Sequence, residues 1–168
     1  MSVRLVCLSA MLLFVAACNK NPFEVVVSRC LGVAVIGDLG TLVKFQGEGR
    51  TSNDMAFKAS IMNLRSVCEE GEDVKSQVSF SIGAQAGPAL RGTEVTVPYF
   101  VAVVKDNSQI ISKSTYDVTL RFNSEGIAVS EEVLLQQIPT IAQARRYNYE
   151  FLVGFKMDVD DIVFNMVR

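Results

Sequence analysis

The chain contains no histidine, and that single absence removes much of the familiar hydrolytic chemistry. Ser-His-Asp and Cys-His systems cannot be assembled within it, because both use an imidazole as the base. A serine–lysine pair is the remaining nucleophile system, yet no Ser-x-x-Lys spacing occurs. Ser112 and Lys113 are neighbours on an expected strand and point to opposite faces. Phosphate cradles are missing as well: Gly47, Glu48 and Gly49 sit in a polar loop with neither a lysine nor a following helix. Basic charge is sparse, with 16 Lys and Arg against 18 Asp and Glu. That balance gives no electrostatic reason to bind nucleic acid. Paired carboxylates could still serve glycoside hydrolysis, but the acids fall in expected turns, caps and wet strand faces. The chain is therefore expected to be non-enzymatic and to use no cofactor and no metal. No internal repeat or low-complexity segment is present.

Long apolar runs are also scarce, apart from the first 17 residues. "MSVRLVCLSAMLLFVAA" has one early charge, Arg4, an apolar stretch from Leu5 to Val15, and small residues before Cys18. This is the three-part layout of a secretory signal peptide. The stretch is well short of the roughly 20 residues that span a bilayer. Val15-Ala16-Ala17-Cys18 resembles the lipobox of bacterial lipoproteins. The resemblance implies cleavage before Cys18 and acylation of its thiol and new amino group. Several acyl chains anchor stably, since each buried methylene contributes about 0.8 kcal/mol. Asn19, rather than Asp, follows the cysteine, and by analogy with enteric sorting this favours the outer membrane, facing the periplasm.

Removing the leader leaves residues 18–168, enough for one domain. Residues 18–29 are expected to be the lipidated cysteine and its tether, and residues 30–168 the folded domain. The tether 19–29 reaches about 35 Å at most when extended. Only "NKNP" within it reads as free linker, because "FEVVV", 23–27, is apolar and β-prone. Cys7 leaves with the leader and Cys18 is the lipid site, so Cys30 and Cys68 remain. A disulfide between them suits an exported protein; two separately buried thiols are the alternative. Two thiolates without an imidazole do not fill a zinc shell, and a catalytic redox pair usually stands closer, as in Cys-x-x-Cys.

Period-two patterning dominates the rest. Val78, Phe80, Ile82 and Ala84 alternate with polar residues, as do Tyr116, Val118, Leu120 and Phe122. Tyr149, Phe151, Val153, Phe155 and Met157 repeat the pattern near the end. "GVAVIG", 32–37, reads as a first strand, and "YFVAVV", 99–104, as a central strand covered on both faces. In "FKASIMNL" the apolar set changes phase, which predicts a bulge near Ile61. "EEGED", "GPALRG", "DNSQ" and "NSEG" supply turns between the runs. "EEGED" could hold a weak cation but reads more readily as a solvated hairpin tip. The fold class expected is mainly β, an antiparallel sandwich.

Two segments break the pattern. "SEEVLLQQIP", 130–139, could equally extend a strand, but the cap at Ser130 and the acids in its first turn favour a short helix. The terminal "DVDDIVFNMVR" predicts an amphipathic helix with Val159, Ile162, Val163, Met166 and Val167 on the face that packs. Its acids suit the positive end of the helix dipole. "DVDD" also begins like a calcium loop but lacks the turn glycine and the closing glutamate.

"VPYFVAVVKD", "IP" at 138–139 and "LVGFKM…DDIVFN" resemble small Gram-negative envelope lipoproteins that carry an immunoglobulin-like sandwich. The resemblance implies that fold and offers no functional residue to carry over. The expected function is a lipid-anchored periplasmic interaction module, in outer-membrane assembly or scaffolding, with an envelope protein as partner. Arg145, Arg146 and Tyr147 are the candidate partner-binding residues, since arginine and aromatics are enriched at interface anchors. An uncovered sheet edge could also accept a partner's strand, but the sequence does not say which edge is open. The alternative function is a carrier or sensor of an apolar or lipid-derived ligand, which would need a cavity between the sheets.

Overall fold

Alternating runs become eight strands in the computed structural model, which describes residues 30–167. They are β1 (Gly32–Val35), β2 (Thr41–Phe45), β3 (Met55–Glu70), β4 (Val74–Ala86), β5 (Glu94–Lys105), β6 (Gln109–Arg121), β7 (Ile127–Ile138) and β8 (Tyr149–Phe155). Two short helices, α1 (Ile141–Arg146) and α2 (Val159–Met166), flank β8. One sheet has the order β1-β8-β5-β6 and the other β2-β3-β4-β7. Together they form a mainly antiparallel, immunoglobulin-like sandwich. The exception is β1, which runs parallel to β8. No helix among the described residues is long and apolar enough to cross a membrane. The expected leader, Cys18 and tether lie outside the described residues.

The core is what the alternation predicts. Val78, Phe80, Ile82 and Ala84 of β4 face Val97, Tyr99, Val101, Phe151, Val153 and Phe155 across the layers. β5 is buried on both faces from Tyr99 to Val104, as expected of a strand lying between β8 and β6. Phe100 on its outer side is covered by Lys113, whose Nζ lies 4.4 Å from the ring centre. β3 changes phase at a bulge: Ile61 points inward, the register with β4 shifts between Met62 and Arg65, and Leu64 points inward next. Asn63 takes the positive φ of 56° that this needs. The break therefore falls two residues beyond Ile61.

Cys30 and Cys68 are joined in a disulfide, with Cα atoms 5.8 Å apart. The bridge clamps the start of the domain to β3, near the turn at residues 71–73. The "EEGED" acids occupy this hairpin tip, where the Gly71 N–H donates to the Asp73 carbonyl.

Two expectations are corrected. Residues 130–138 form a strand, not a helix, and pair with β4 without a register shift. Their inward face carries Ser130, Glu132, Leu134, Gln136 and Ile138, so the period is two. Glu132 is tolerated there because the Tyr99 hydroxyl donates to its Oε2 (2.8 Å) and the Ser130 hydroxyl to its Oε1 (2.9 Å). Helix begins only past Pro139, where the Thr140 hydroxyl accepts from the Gln143 N–H. α2 departs from expectation in its rotation. It forms where expected, but Val159, Val163, Met166 and Val167 are exposed. Its packed side carries Asp161, Ile162, Phe164 and Asn165. Asp161, 5 % exposed, is paired with Lys44 and lies 3.7 Å from the Arg50 guanidinium. The Asn165 amide donates to the carbonyls of Asp38 (2.8 Å) and Thr41 (2.7 Å), and Phe164 packs edge-on against Phe45. Directional polar anchors set the rotation of this helix, against its apolar stripe. Asp158 sits at the N-cap but makes no capping hydrogen bond; it faces Lys44 at 3.6 Å.

Candidate interaction surface

The residues singled out in sequence lie at one end of the sandwich. Arg145 and Arg146 occupy the last turn of α1, both exposed. Cations there complement the negative end of the helix dipole. Tyr147 follows, half-buried, with its ring edge-on to Tyr149 at 6.3 Å. Lys105 reaches over the Tyr147 ring at 3.4 Å, a cation–π contact between residues 42 positions apart that no local pattern signals. The turn after β5 closes the patch: the Asp106 N–H donates to the Asn148 carbonyl, and the Asn148 N–H to the Asp106 carboxylate. Three cations and two aromatic rings thus gather near the disulfide-clamped end, because β3, β5, β7 and α1 all terminate there.

A larger feature went unread in the sequence. The outer face of the second sheet exposes Met62, Val67, Ile127, Val129, Val133 and Leu135. Register sets them on one face, on β3 and β7 to either side of the polar outer positions of β4. Val67, Gln77 and Leu135 form one row across β3, β4 and β7; Arg65, Ser79 and Val133 form the next; Gly83 lies beside Val129. Met62 folds over Gly83, where a side chain would collide with it. At the clamped end this face dips into a groove of about 450 Å³, lined by Val67, Lys75, Gln77, Leu135 and Gln137 among others. A second recess of about 230 Å³ opens between the sheets at the same end, beside Leu31, Val103, Ser112, Gln136 and Tyr149. The signal was present in β7, but masked. Val129, Val133 and Leu135 lie on one face while Ala128, Leu134 and Ile138 lie on the other, and polar Ser130, Glu131, Glu132, Gln136 and Gln137 fall on both, so neither face reads as the dry one.

Groups with shifted ionisation are few. Burial, reinforced by its hydrogen bond to Glu132, pushes the Tyr99 phenol far above its ordinary value of 10.0. Tyr116 stacks on the same ring at 5.4 Å. This pair stands at the open side of the sandwich, between β6 and β7. Two carboxylates, Asp158 and Asp161, do converge, but on the Lys44 ammonium between them, which makes the cluster an anchor for α2. Cys30 and Cys68 sit beside Glu70 in a ligand-like grouping, but their sulfurs are committed to the disulfide.

In comparisons with known proteins, no family model, no curated protein and no solved structure matches this chain.

Proposed function

We propose that the chain is a lipid-anchored interaction module of the bacterial envelope, tethered through Cys18 on the periplasmic side of the outer membrane. It acts by holding an envelope protein rather than by catalysis. The observation that carries the binding half is the apolar outer face formed by Met62, Val67, Val129, Val133 and Leu135. Large apolar side chains exposed together on one sheet face mark an interaction site, and burying one such side chain contributes about 1.5–3 kcal/mol. The lipobox-like Val15-Ala16-Ala17-Cys18 carries the anchoring half. Arg145, Arg146 and Tyr147, with Lys105, form the polar rim of the same docking end.

The test is crosslinking of the lipoprotein in living cells, followed by purification and mass spectrometry. A near-stoichiometric envelope protein is expected, lost with Leu135→Lys and retained with Val163→Lys on the far helix. The mature chain should carry the mass of its acyl groups on Cys18, and Cys18→Ser should release an exported, soluble protein. Recovery of the chain alone, or with a bound lipid, would count against this function and favour a ligand carrier.

A further inference from the structure

The open side of the sandwich is built like a fold that lacks one strand. β7 and β6 are the outermost strands of their sheets on that side. Hydrogen bonds at the start of β7 fix which of its backbone groups face β4. The Gly126 carbonyl accepts from the Ala86 N–H and so points toward β4, whereas the Ile127 N–H and carbonyl both engage Asn123, away from β4. Backbone groups alternate sides along a strand. Those of Val129, Glu131, Val133, Leu135 and Gln137 therefore point out of the sheet edge, and among the described residues no backbone group pairs with them.

Edges of soluble proteins are normally blunted by lysine or other charges, inward-pointing charged residues, proline, a bulge or short length; the one inward charge on β7 is Glu132, and the Tyr99 and Ser130 hydroxyls hold both its oxygens. β7 is 12 residues long and carries no lysine, arginine or proline; its register with β4 has no shift. Among the described residues no strand fills the space beside it. Ser112, Ser114 and Tyr116 of β6 stand opposite the buried Val103, Val101 and Tyr99 and so point toward the other sheet, yet all three are exposed. Glu132, Leu134 and Gln136 look across from β7, only half-buried.

We infer that the β7 edge accepts an extended segment of a partner protein as a ninth strand. This deepens the reading of the chain as an interaction module and rests on it. The chemistry of the segment follows from the two faces it would continue. Its outward side chains are apolar beside Val129, Val133 and Leu135, with a lysine or arginine opposite Glu131, since opposite charges across a strand pair are favourable. Its inward side chains are small and polar, facing Ser112, Ser114 and Glu132. Charge decides against the other candidates. Pairing β7 with a second β7 brings the Glu131–Glu132 pairs of both strands together with no cation on either. The chain's own "FEVVV", 23–27, brings Glu24 and no cation.

The experiment uses the full-length lipoprotein in detergent and the synthetic peptide Thr-Val-Thr-Val-Thr-Lys-Thr-Val-Thr, read by amide hydrogen exchange. In the free protein the amides of Val129, Glu131, Val133 and Leu135 should exchange fast. Saturating peptide should slow these four at least tenfold, and glutamate in place of its lysine should weaken binding at least tenfold. Val133→Pro removes one outward N–H and should abolish the effect; if that variant does not fold, the period-two protection in the wild type still decides. Four outcomes overturn the inference: edge amides already protected in dilute protein, which assigns the edge to the chain itself; protection that rises with protein concentration, which assigns it to a second copy; binding that shields Met62 and Val67 but not the edge amides; or no slowing by the peptide. A peptide failure with acylation and partner capture intact would remove the strand mode alone. Loss of Cys18 acylation would remove the anchored reading and leave the peptide result standing.

Discussion

Glu132 and Asn63 show how single residues are placed where their type is disfavoured. Glu132 faces inward because two hydroxyls reach its two oxygens, from Tyr99 and Ser130. Tyr99 is 1 % exposed, so its hydroxyl has no water to fall back on. Tyr99→Phe keeps the ring packing and withdraws one donor from the carboxylate. It should cost about 1–3 kcal/mol, measured by urea unfolding at neutral pH. The same phenol sets an alkaline limit. Its folded value is raised above the ordinary 10.0, so the unfolded chain releases this proton first as pH rises. Its contribution is fully present below about pH 10 and is lost as pH climbs toward the folded value. Stability of the wild type should therefore fall above pH 10 more steeply than that of Tyr99→Phe. At the bulge, Asn63 holds φ 56° and its side-chain amide donates to the Ser81 hydroxyl at 3.1 Å. Asn63→Val should destabilise by about 1–2 kcal/mol, the cost of left-handed backbone for a residue with a crowded Cβ, while Asn63→Gly should lose much less.

Elements differ in how openly the sequence declares them. β4, β6 and β8 were legible because each has one wet face and one dry face near its core-spanning half. β5 was legible for the opposite reason, being apolar on both sides and covered on both. β7 was not, since apolar residues on an unburied outer face and a glutamate on the inner face erased its alternation. The signal that separates strand from helix there is tertiary: the unshifted pairing with β4 and the hydroxyls that reach Glu132. α2 was legible as a helix and misread in rotation. Hydrophobic periodicity assumes that the apolar stripe is what packs; here Asp161, held by Lys44, and Asn165, on two carbonyls, orient it instead. Lys44→Met would leave Asp161 buried with only the more distant Arg50, and should cost about 3 kcal/mol. Restoring an apolar pair with Lys44→Met and Asp161→Leu together should recover most of that loss. Limited proteolysis should cut near α2 in the single variant and spare it in the double one.

At the scale of the molecule, the layers leave one free variable, which is how the entering chain is held. The sheets share one core, but β1 has only 4 residues and, among the described residues, pairs on one side, with β8. The Cys30–Cys68 bridge fixes this weakly held beginning to the 16-residue β3. The pairing was legible in sequence because Cys30 and Cys68 are the two cysteines outside the expected leader and lipid site. Its position beside the basic–aromatic patch was not, because that depends on which strands end together. Under the proposed anchoring at Cys18 the bridge would have a further effect: 11 residues lie between Cys18 and Cys30, which would keep the clamped end near the membrane. In the chain-entropy view, closing a 38-residue separation stabilises by about 4 kcal/mol. For a domain of this size that corresponds to a fall of about 12 °C in Tm when the bridge is lost. Replacing both cysteines with serine should lower Tm by that amount under oxidising conditions. Reductant should do the same to the wild type and nothing to the variant, because only the wild type has a bridge to open. A Tm unmoved by either treatment would mean that β1 is held by its pairing with β8 and the burial of Leu31 alone.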